Sequence, residues 1–415
     1  MLSPSLKGRP LPFLFDIRIY RLVGPPVNLL DTMVTQAALL LALVALCAGA
    51  PIQEGEEPED TLVQVHVVFR HGQRTPADTY PNDPHINFTF DPVGWGQLTN
   101  EGRRQQYEQG QFLRSRYDKL LGPKLTNEVF SAMSTDVDRT MMSAQLECAG
   151  LWPPQGSQEW NPDLKWQPVP IRSQPLKQDT LLLVRTPCAQ YHYELERVLR
   201  EDENVKKVFE ENDALFKELT DITGMPITTP EDVQSLYNTL LAEDLFNLTL
   251  PEWTKNYYPD RLVPLTAFSF SLSAYTKILQ RIKGGPLLKK ILGDSEKRIQ
   301  SGKGQKMFMY AGHDSTVANL LMTLGVFDEQ VPVYNIMTIM ELHKESEDGP
   351  YGFKMFLRNT TLHEPYPLTV PGCDHFCSLD KFKDLTKEVI PTTLGEECKV
   401  DDPNYVPPDT SGSGP

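Results

Sequence analysis

The chain has 415 residues, with 40 Lys+Arg against 55 Asp+Glu and a formal net charge of −15. Hydrophobic residues make up 40% and charged residues 23%, enough apolar side chain to close a sizeable core, which excludes disorder along the whole length. The acidic balance, with a sequence pI of about 5.1, argues against a nucleic-acid partner, whose phosphates require a basic face.

Residues 1–50 read as an N-terminal extension and signal peptide. The apolar run Ala37 to Ala50, AALLLALVALCAGA, is too short to span a bilayer. Ala48-Gly49-Ala50 supplies a small-x-small cleavage pattern, and Met33 just ahead of the run would start a signal of ordinary length. Residues 51–60 carry the acidic run Gln53 to Asp60 and are expected to form a flexible mature N-terminus. The tail, 401–415, is polar and Pro/Gly-rich with no apolar stretch, so the mature form is expected to have no membrane anchor. The expected destination is the extracellular space, with the lysosome as the alternative. The sequons at Asn87, Asn247 and Asn359 agree with that route and mark candidate glycosylation sites. Five cysteines follow the expected cleavage point: Cys148, Cys188, Cys373, Cys377 and Cys398. An oxidising compartment favours disulfides, and an odd number leaves at least one thiol unpaired within the chain. Cys148, in the apolar helical stretch SAQLECAGLW, is the candidate.

Leu62 to Phe69, LVQVHVVF, is nearly continuous in apolar and β-branched character, as a strand buried on both faces of a sheet reads. A helix is expected from about Thr99 to Leu121. A strand follows over Glu128 to Ala132, and a second helix from about Val137 to Leu151. From about 174 to 260 the texture changes to charged, amphipathic helical segments such as Tyr193 to Leu219 and Pro230 to Glu243. Strand–helix alternation resumes with Lys306 to Ala311 and Ser315 to Leu324. Val333 to Leu342 and Tyr351 to Arg358 then alternate as a hairpin around Glu347-Asp348-Gly349-Pro350. The expected fold class is α/β, a doubly wound open sheet built from 61–173 and 261–400, with 174–260 as a mainly helical inserted domain.

Chemistry concentrates at the expected strand ends. In Phe69-Arg70-His71-Gly72-Gln73-Arg74-Thr75-Pro76, one His follows a buried strand, Gly72 permits a tight turn, and two Arg flank the imidazole. Ligands of open α/β sheets bind outside the carboxyl ends of the strands. Forked guanidinium donors match phosphate oxygens. Ala311-Gly312-His313-Asp314-Ser315-Thr316 repeats the strand–His–helix setting, and Ser134-Thr135-Asp136-Val137-Asp138-Arg139-Thr140 places Arg139 near a helix start. Convergence of the three would create a strongly positive pocket in an acidic protein, hence a site for an anion. Other readings compete: His71 and His313 as satisfied core histidines, Arg139 paired with Asp136 or Asp138, Asp314 as a helix cap. Arg139 in a first helical turn opposes the helix dipole, which favours an anion-binding role. Cys373-Asp-His375-Phe-Cys377 superficially suggests a metal site, but two thiols in an oxidising compartment favour a disulfide.

These motifs carry a resemblance. Arg70-His71-Gly72-x-Arg74-x-Pro76, His313-Asp314 and Ser134 to Thr140 resemble the signatures of the histidine acid phosphatases of prostatic, lysosomal and insect-venom type. The likeness extends to Gly96-Gln97-Leu98-Thr99, Trp152-Pro153-Pro154, Trp160-Asn161-Pro162 and His363-Glu364-Pro365-Tyr366-Pro367, and so over roughly residues 61 to 400. It implies hydrolysis of small phosphomonoesters in which His71 is the nucleophile and forms a phosphohistidine. Arg70, Arg74, Arg139 and His313 would hold the phosphoryl oxygens, and Asp314 would donate the proton to the leaving group. An Asp that must begin protonated works best in acid. The scheme needs no cofactor and no metal. The resemblance also implies the disulfides Cys188–Cys398 and Cys373–Cys377; vertebrate relatives carry one more than this chain can match. Met133 stands where the family commonly has Arg, and Gln73 where many members have Asp. Dimers occur among such relatives, but no interface can be read here. Three other functions compete; a phosphate-transferring mutase of sugar metabolism would be cytosolic, which the signal and sequons disfavour, and two remain. One is a narrower phosphatase of the superfamily, acting on inositol polyphosphates or lysophosphatidate. The other is a secreted binding protein or allergen with weak catalysis, which the intact set of active residues disfavours.

Overall fold

The computed structural model describes residues 61–408. The expected signal peptide, the acidic N-terminus and the last seven residues of the tail lie outside it.

The sheet is built around β1 (Leu62–Arg70), whose alternate side chains enter two different cores. Val65, Val67 and Phe69 face one side, where Leu113 and Tyr117 of α1 (Asn100–Leu121) and Ala144, Cys148 and Leu151 of α2 (Asp138–Leu151) cover them. Val68 faces the other side, packing with Leu288 and Ile291 of α8 (Gly285–Ser301) and Val317 and Leu320 of α9 (Asp314–Thr323). Each such side chain contributes roughly 1.5–3 kcal/mol when withdrawn from water, so the sheet needs helices on both faces. The remaining strands are β2 (Phe130–Ser134), β3 (Ile171–Arg172), β4 (Met307–Gly312), β5 (Met337–Lys344), β6 (Tyr351–Arg358), β7 (Tyr366–Leu368) and β8 (Cys377–Ser378). Their order is β3-β2-β4-β1-β5-β6-β7, with β8 beside β6. β1, β2, β3 and β4 run parallel, whereas β5, β6, β7 and β8 are joined antiparallel. The doubly wound α/β class is therefore observed, with an antiparallel half added.

Register decides where the chemistry falls. Arg70 pairs with Gly312 across β1 and β4, and Ala311 with Ser134 across β4 and β2, so three strands end level at one edge. The residues after them, His71, His313 and Thr135, must emerge side by side.

Between β3 and β4 the chain is helical among the described residues: α3 (Ala189–Glu201), α4 (Glu203–Thr223), α5 (Pro230–Leu245), α6 (Val263–Leu272), α7 (Lys277–Lys283) and then α8. Leu215, Leu219, Val233, Leu236, Leu240 and Leu262 form a separate apolar cluster there, joined by Phe209, Phe216 and Trp253. Three sequence expectations need correction. The single helix over Tyr193 to Leu219 is two helices, because the Asp202 carboxylate caps a new one by accepting from Asn204 N and Val205 N. The second strand begins at Phe130, not Glu128, since Val129 spends its carbonyl on the N–H groups of Lys306 and Met307. The strand expected from Val333 starts only at Met337, because Pro332 offers no N–H and Asn335 takes a left-handed φ of 65°.

Cys188–Cys398 and Cys373–Cys377 are bonded, and Cys148 is a buried free thiol. Met133, on β2, packs partly buried against the apolar cluster that holds Val68 and Tyr310. Asn87 and Asn247 are exposed and Asn359 is half-buried.

One buried pair gives the fold a pH dependence. Glu243 on α5 is fully buried, neither of its carboxyl oxygens has a hydrogen-bond partner among the described residues, and its near neighbours are Asp83 and Tyr80. Burial first, and the Asp83 carboxylate second, push the Glu243 carboxyl up to about 8. Folded protein thus holds this proton more tightly than unfolded chain. Its stabilising effect is complete below the ordinary carboxyl value of 4.5 and is lost as pH rises toward 8. Glu243→Gln, whose amide can donate to Asp83 at any pH, is expected to unfold at the wild-type temperature near pH 5 and several degrees above it near pH 8. Thermal unfolding across that range checks this, and a parallel decline in both proteins refutes it.

Candidate active site

Arg70 ends β1, and its side chain is only 1% exposed. The turn that follows is held by His71 N donating to Gly312 O at 3.0 Å and by Gly72 N donating to the Ser143 hydroxyl at 3.1 Å. Helix α1 starts hard against this turn. A Cβ on Gly102 would sit 2.2 Å from Gln73 O, so only glycine allows the approach.

His71 is 2% exposed. Its Nδ1 lies 2.8 Å from Gly72 O, which can only accept, so this nitrogen carries the proton. Nε2 therefore keeps its lone pair, and Arg139 Nε donates to it at 3.2 Å. The His313 ring stands edge-on to the His71 ring with centroids 5.4 Å apart. His313 Nε2 lies 2.9 Å from the Thr135 hydroxyl, and its Nδ1 lies 3.5 Å from Arg139 Nη2. Arg139 thus bridges both imidazoles. Burial first, then Arg139 and Arg70, hold both histidines well below the ordinary imidazole value, which favours the neutral ring.

The guanidiniums surround this pair. Arg74 Nη1 donates to Thr75 O at 3.0 Å, while its buried Nε finds no partner among the described residues. Arg70 Nη1 donates to Pro332 O, and its Nη2 lies 3.0 Å from Asp314 Oδ2, an ion pair rather than an aligned hydrogen bond. Arg70 Nε is likewise unpartnered among the described residues. Arg139 is pushed down to about 10, by burial first and then by Arg74, and remains charged at acidic and neutral pH. Arg185, exposed, adds to the positive field at His313. Asp314 opens α9, and its Oδ1 accepts from Ser315 N.

Of the six residues named from sequence, Arg139 meets His71 and His313, Arg70 pairs with Asp314, and Arg74 lies within electrostatic reach of both imidazoles and Arg139. The N-cap of α9 is His313, so Asp314, which faces Arg70, is not the helix cap. Sequence reasoning missed the supporting groups: the Gly72 carbonyl, the Thr135 and Ser143 hydroxyls, Arg185, and Tyr334, whose ring lies 5.8 Å from His71. Thr135 lay inside a quoted motif and could have been found there; the others carry no such signal. Among the described residues no group of three or more His, Cys, Asp or Glu is placed to hold a metal ion. Cys373 and Cys377 near His375 are oxidised to a disulfide instead. Chemically, the edge offers a tetrahedral anion one imidazole lone pair held by Arg139, unspent guanidinium donors on Arg70 and Arg74, and one carboxyl group.

A doubly wound sheet whose strand ends gather a neutral imidazole between fixed guanidiniums defines a class of phosphoryl-transferring enzymes. The chain belongs to the histidine phosphatase superfamily (branch 2), matched over residues 61–352, and within it to the histidine acid phosphatases; it is a phosphatase. It is 38% identical over 360 residues to venom acid phosphatase Acph-1 of Apis mellifera, which covers 85% of this chain and 89% of that one. It is 36% identical over 373 residues to the prostatic acid phosphatase of Bos taurus, covering 89% and 95%. The Citrobacter braakii phytase structure superposes with a TM-score of 0.64 at 18% identity, covering 82% of this chain and all of that one, a likeness of fold.

Proposed function

We propose that the protein hydrolyses orthophosphoric monoesters at acidic pH through a phosphohistidine at His71. The observation that carries this reading is the His71 tautomer: Nδ1–H is spent on Gly72 O, and the Nε2 lone pair faces Arg139 Nε, with Arg70 and Arg74 within electrostatic reach. An entering phosphoryl group competes for Arg139. As Nε2 attacks phosphorus, the P–N bond forms and the ester P–O bond breaks. Arg70, Arg74, Arg139 and His313 stabilise the charge on the phosphoryl oxygens. Asp314, beside Arg70, supplies the proton to the leaving oxygen, then takes one from the water that splits the P–N bond and releases phosphate. Depressed basicity at His71, caused by burial first and then by the guanidiniums, favours the neutral imidazole that the attack requires.

The helical segment 174–260 is inferred to act as an inserted domain over the sheet edge of 61–173 and 261–400, shaping the leaving-group pocket. Gln73, in the signature turn, already donates to Leu245 O of α5 at 3.3 Å. The venom and prostatic relatives support secretion, and with it glycosylation at Asn87, Asn247 and Asn359. The direct test is hydrolysis of para-nitrophenyl phosphate in mildly acidic buffer, with vanadate and tartrate as competitors. Turnover that both anions suppress is expected. A purified protein indifferent to vanadate would overturn the reading. Phytate hydrolysed in preference to the aryl ester would favour the inositol-polyphosphate alternative.

A further inference from the structure

The segment Pro332–Asn335 lies more than 250 residues beyond the signature, yet it is clamped beneath it. Arg70 Nη1 donates to Pro332 O, Arg70 N to Ile336 O at 2.9 Å, and Asn335 N to His71 O at 3.4 Å. Asn335 is fixed from the side of α1: Gln106 Nε2 donates to its Oδ1 at 2.6 Å, and its Nδ2 donates to Gln105 Oε1 at 2.7 Å. Its left-handed φ turns the chain so that Tyr334 projects toward Arg70 and His71. The Arg70 guanidinium carbon sits 4.2 Å from the Tyr334 ring centroid, within cation–π range.

The ring is accounted for by that stack, but the hydroxyl is not. It is buried and finds no hydrogen-bond partner among the described residues. A buried phenol left so costs free energy unless something met during the working cycle satisfies it. Its charged surroundings point one way. The hydroxyl lies within electrostatic reach of Arg139, with the phenols of Tyr237 and Tyr258 also near, while its own ring touches Arg70. A buried donor with guanidinium groups as near neighbours has an oxyanion drawn by those same cations as its natural acceptor. From this geometry we infer that Tyr334 is a further phosphate-contacting residue, its hydroxyl donating to the bound phosphoryl group while its ring keeps the Arg70 guanidinium in plane. The inference rests on the phosphatase reading of the same site and adds one substrate contact and one positioning contact to it.

Two variants separate the two roles, with inorganic phosphate as the probe. Tyr334→Phe keeps the ring under Arg70 and is expected to melt as wild type does. It should raise the inhibition constant for inorganic phosphate about tenfold, the loss expected for one hydrogen bond to a charged group. kcat/KM for para-nitrophenyl phosphate should fall by a similar factor. Tyr334→Leu removes the ring as well and should weaken phosphate binding further and lower kcat, because Arg70 loses its plane. Should the leucine variant not fold, Tyr334→Met supplies the same comparison with a more adaptable side chain. An unchanged phosphate inhibition constant in Tyr334→Phe overturns the hydroxyl contact, and a ringless variant no worse than Tyr334→Phe overturns the positioning role. Wild-type protein that neither turns over nor binds phosphate overturns the phosphatase reading beneath, a result distinct from either.

Discussion

His71→Ala is expected to lower kcat on any phosphomonoester by on the order of 10⁴–10⁶-fold and to abolish the trapped phosphoenzyme, the scale seen when a covalent nucleophile is removed. The argument starts from geometry. Among the described residues, the Nε2 lone pair of His71 is the nitrogen acceptor that Gly72 O and Arg139 hold ready at the strand edge. His313 is less well placed, because its Nε2 meets Thr135 and no acceptor at its other nitrogen fixes the tautomer as Gly72 O does for His71. Acid quench with a labelled ester should trap an acid-labile, base-stable adduct in wild type and none in the variant. The variant should still bind phosphate and vanadate, since Arg70, Arg74, Arg139 and His313 remain. A trapped adduct of unchanged amount in His71→Ala would move the nucleophile elsewhere.

What could be read beforehand, and what could not, divides along a physical line. Strand β1 announces itself because burial on both faces leaves a run of β-branched residues. Once β1, β2 and β4 are accepted as parallel neighbours, the convergence of His71, Arg139 and His313 follows from sheet topology. Support for those side chains is another matter. The orienter of His71 is a backbone carbonyl, which leaves no trace in residue identity. Ser143, which ties Gly72 to α2 and donates to Arg139 O at 2.7 Å, looks like any polar residue in a helix. Val333 to Asn335 of the clamp continue the alternation of the strand that follows and so read as its start. Proline and a left-handed asparagine decided otherwise, and only the long-range contacts to Arg70 and α1 reveal why. The Asp202 break carries a signal that the single segment Tyr193 to Leu219 passes over: an aspartate before two polar residues inside a long helical stretch is a cap signal.

Asp314→Ala is expected to act unequally on esters that differ only in their leaving group. An alkoxide leaves poorly without a proton, so kcat/KM for an alkyl phosphate should fall about 10²–10⁴-fold, the usual contribution of a placed general acid. A nitrophenolate needs little protonation, and kcat/KM for its ester should fall less than about tenfold. kcat/KM is the right quantity because it reports steps up to leaving-group departure. kcat also includes hydrolysis of the phosphohistidine, where Asp314 receives the proton of water, so with a good leaving group the variant should accumulate phosphoenzyme. The ion pair with Arg70 complicates the alanine variant, because losing the carboxylate at 3.0 Å also frees that guanidinium. Asp314→Asn retains a neutral group of the same shape that can donate a hydrogen bond but cannot deliver a proton. If both variants show the same leaving-group dependence, the proton is the cause. Equal slowing of alkyl and nitrophenyl esters would assign Asp314 to the placement of Arg70 instead, and the acid would have to be sought elsewhere around the sheet edge.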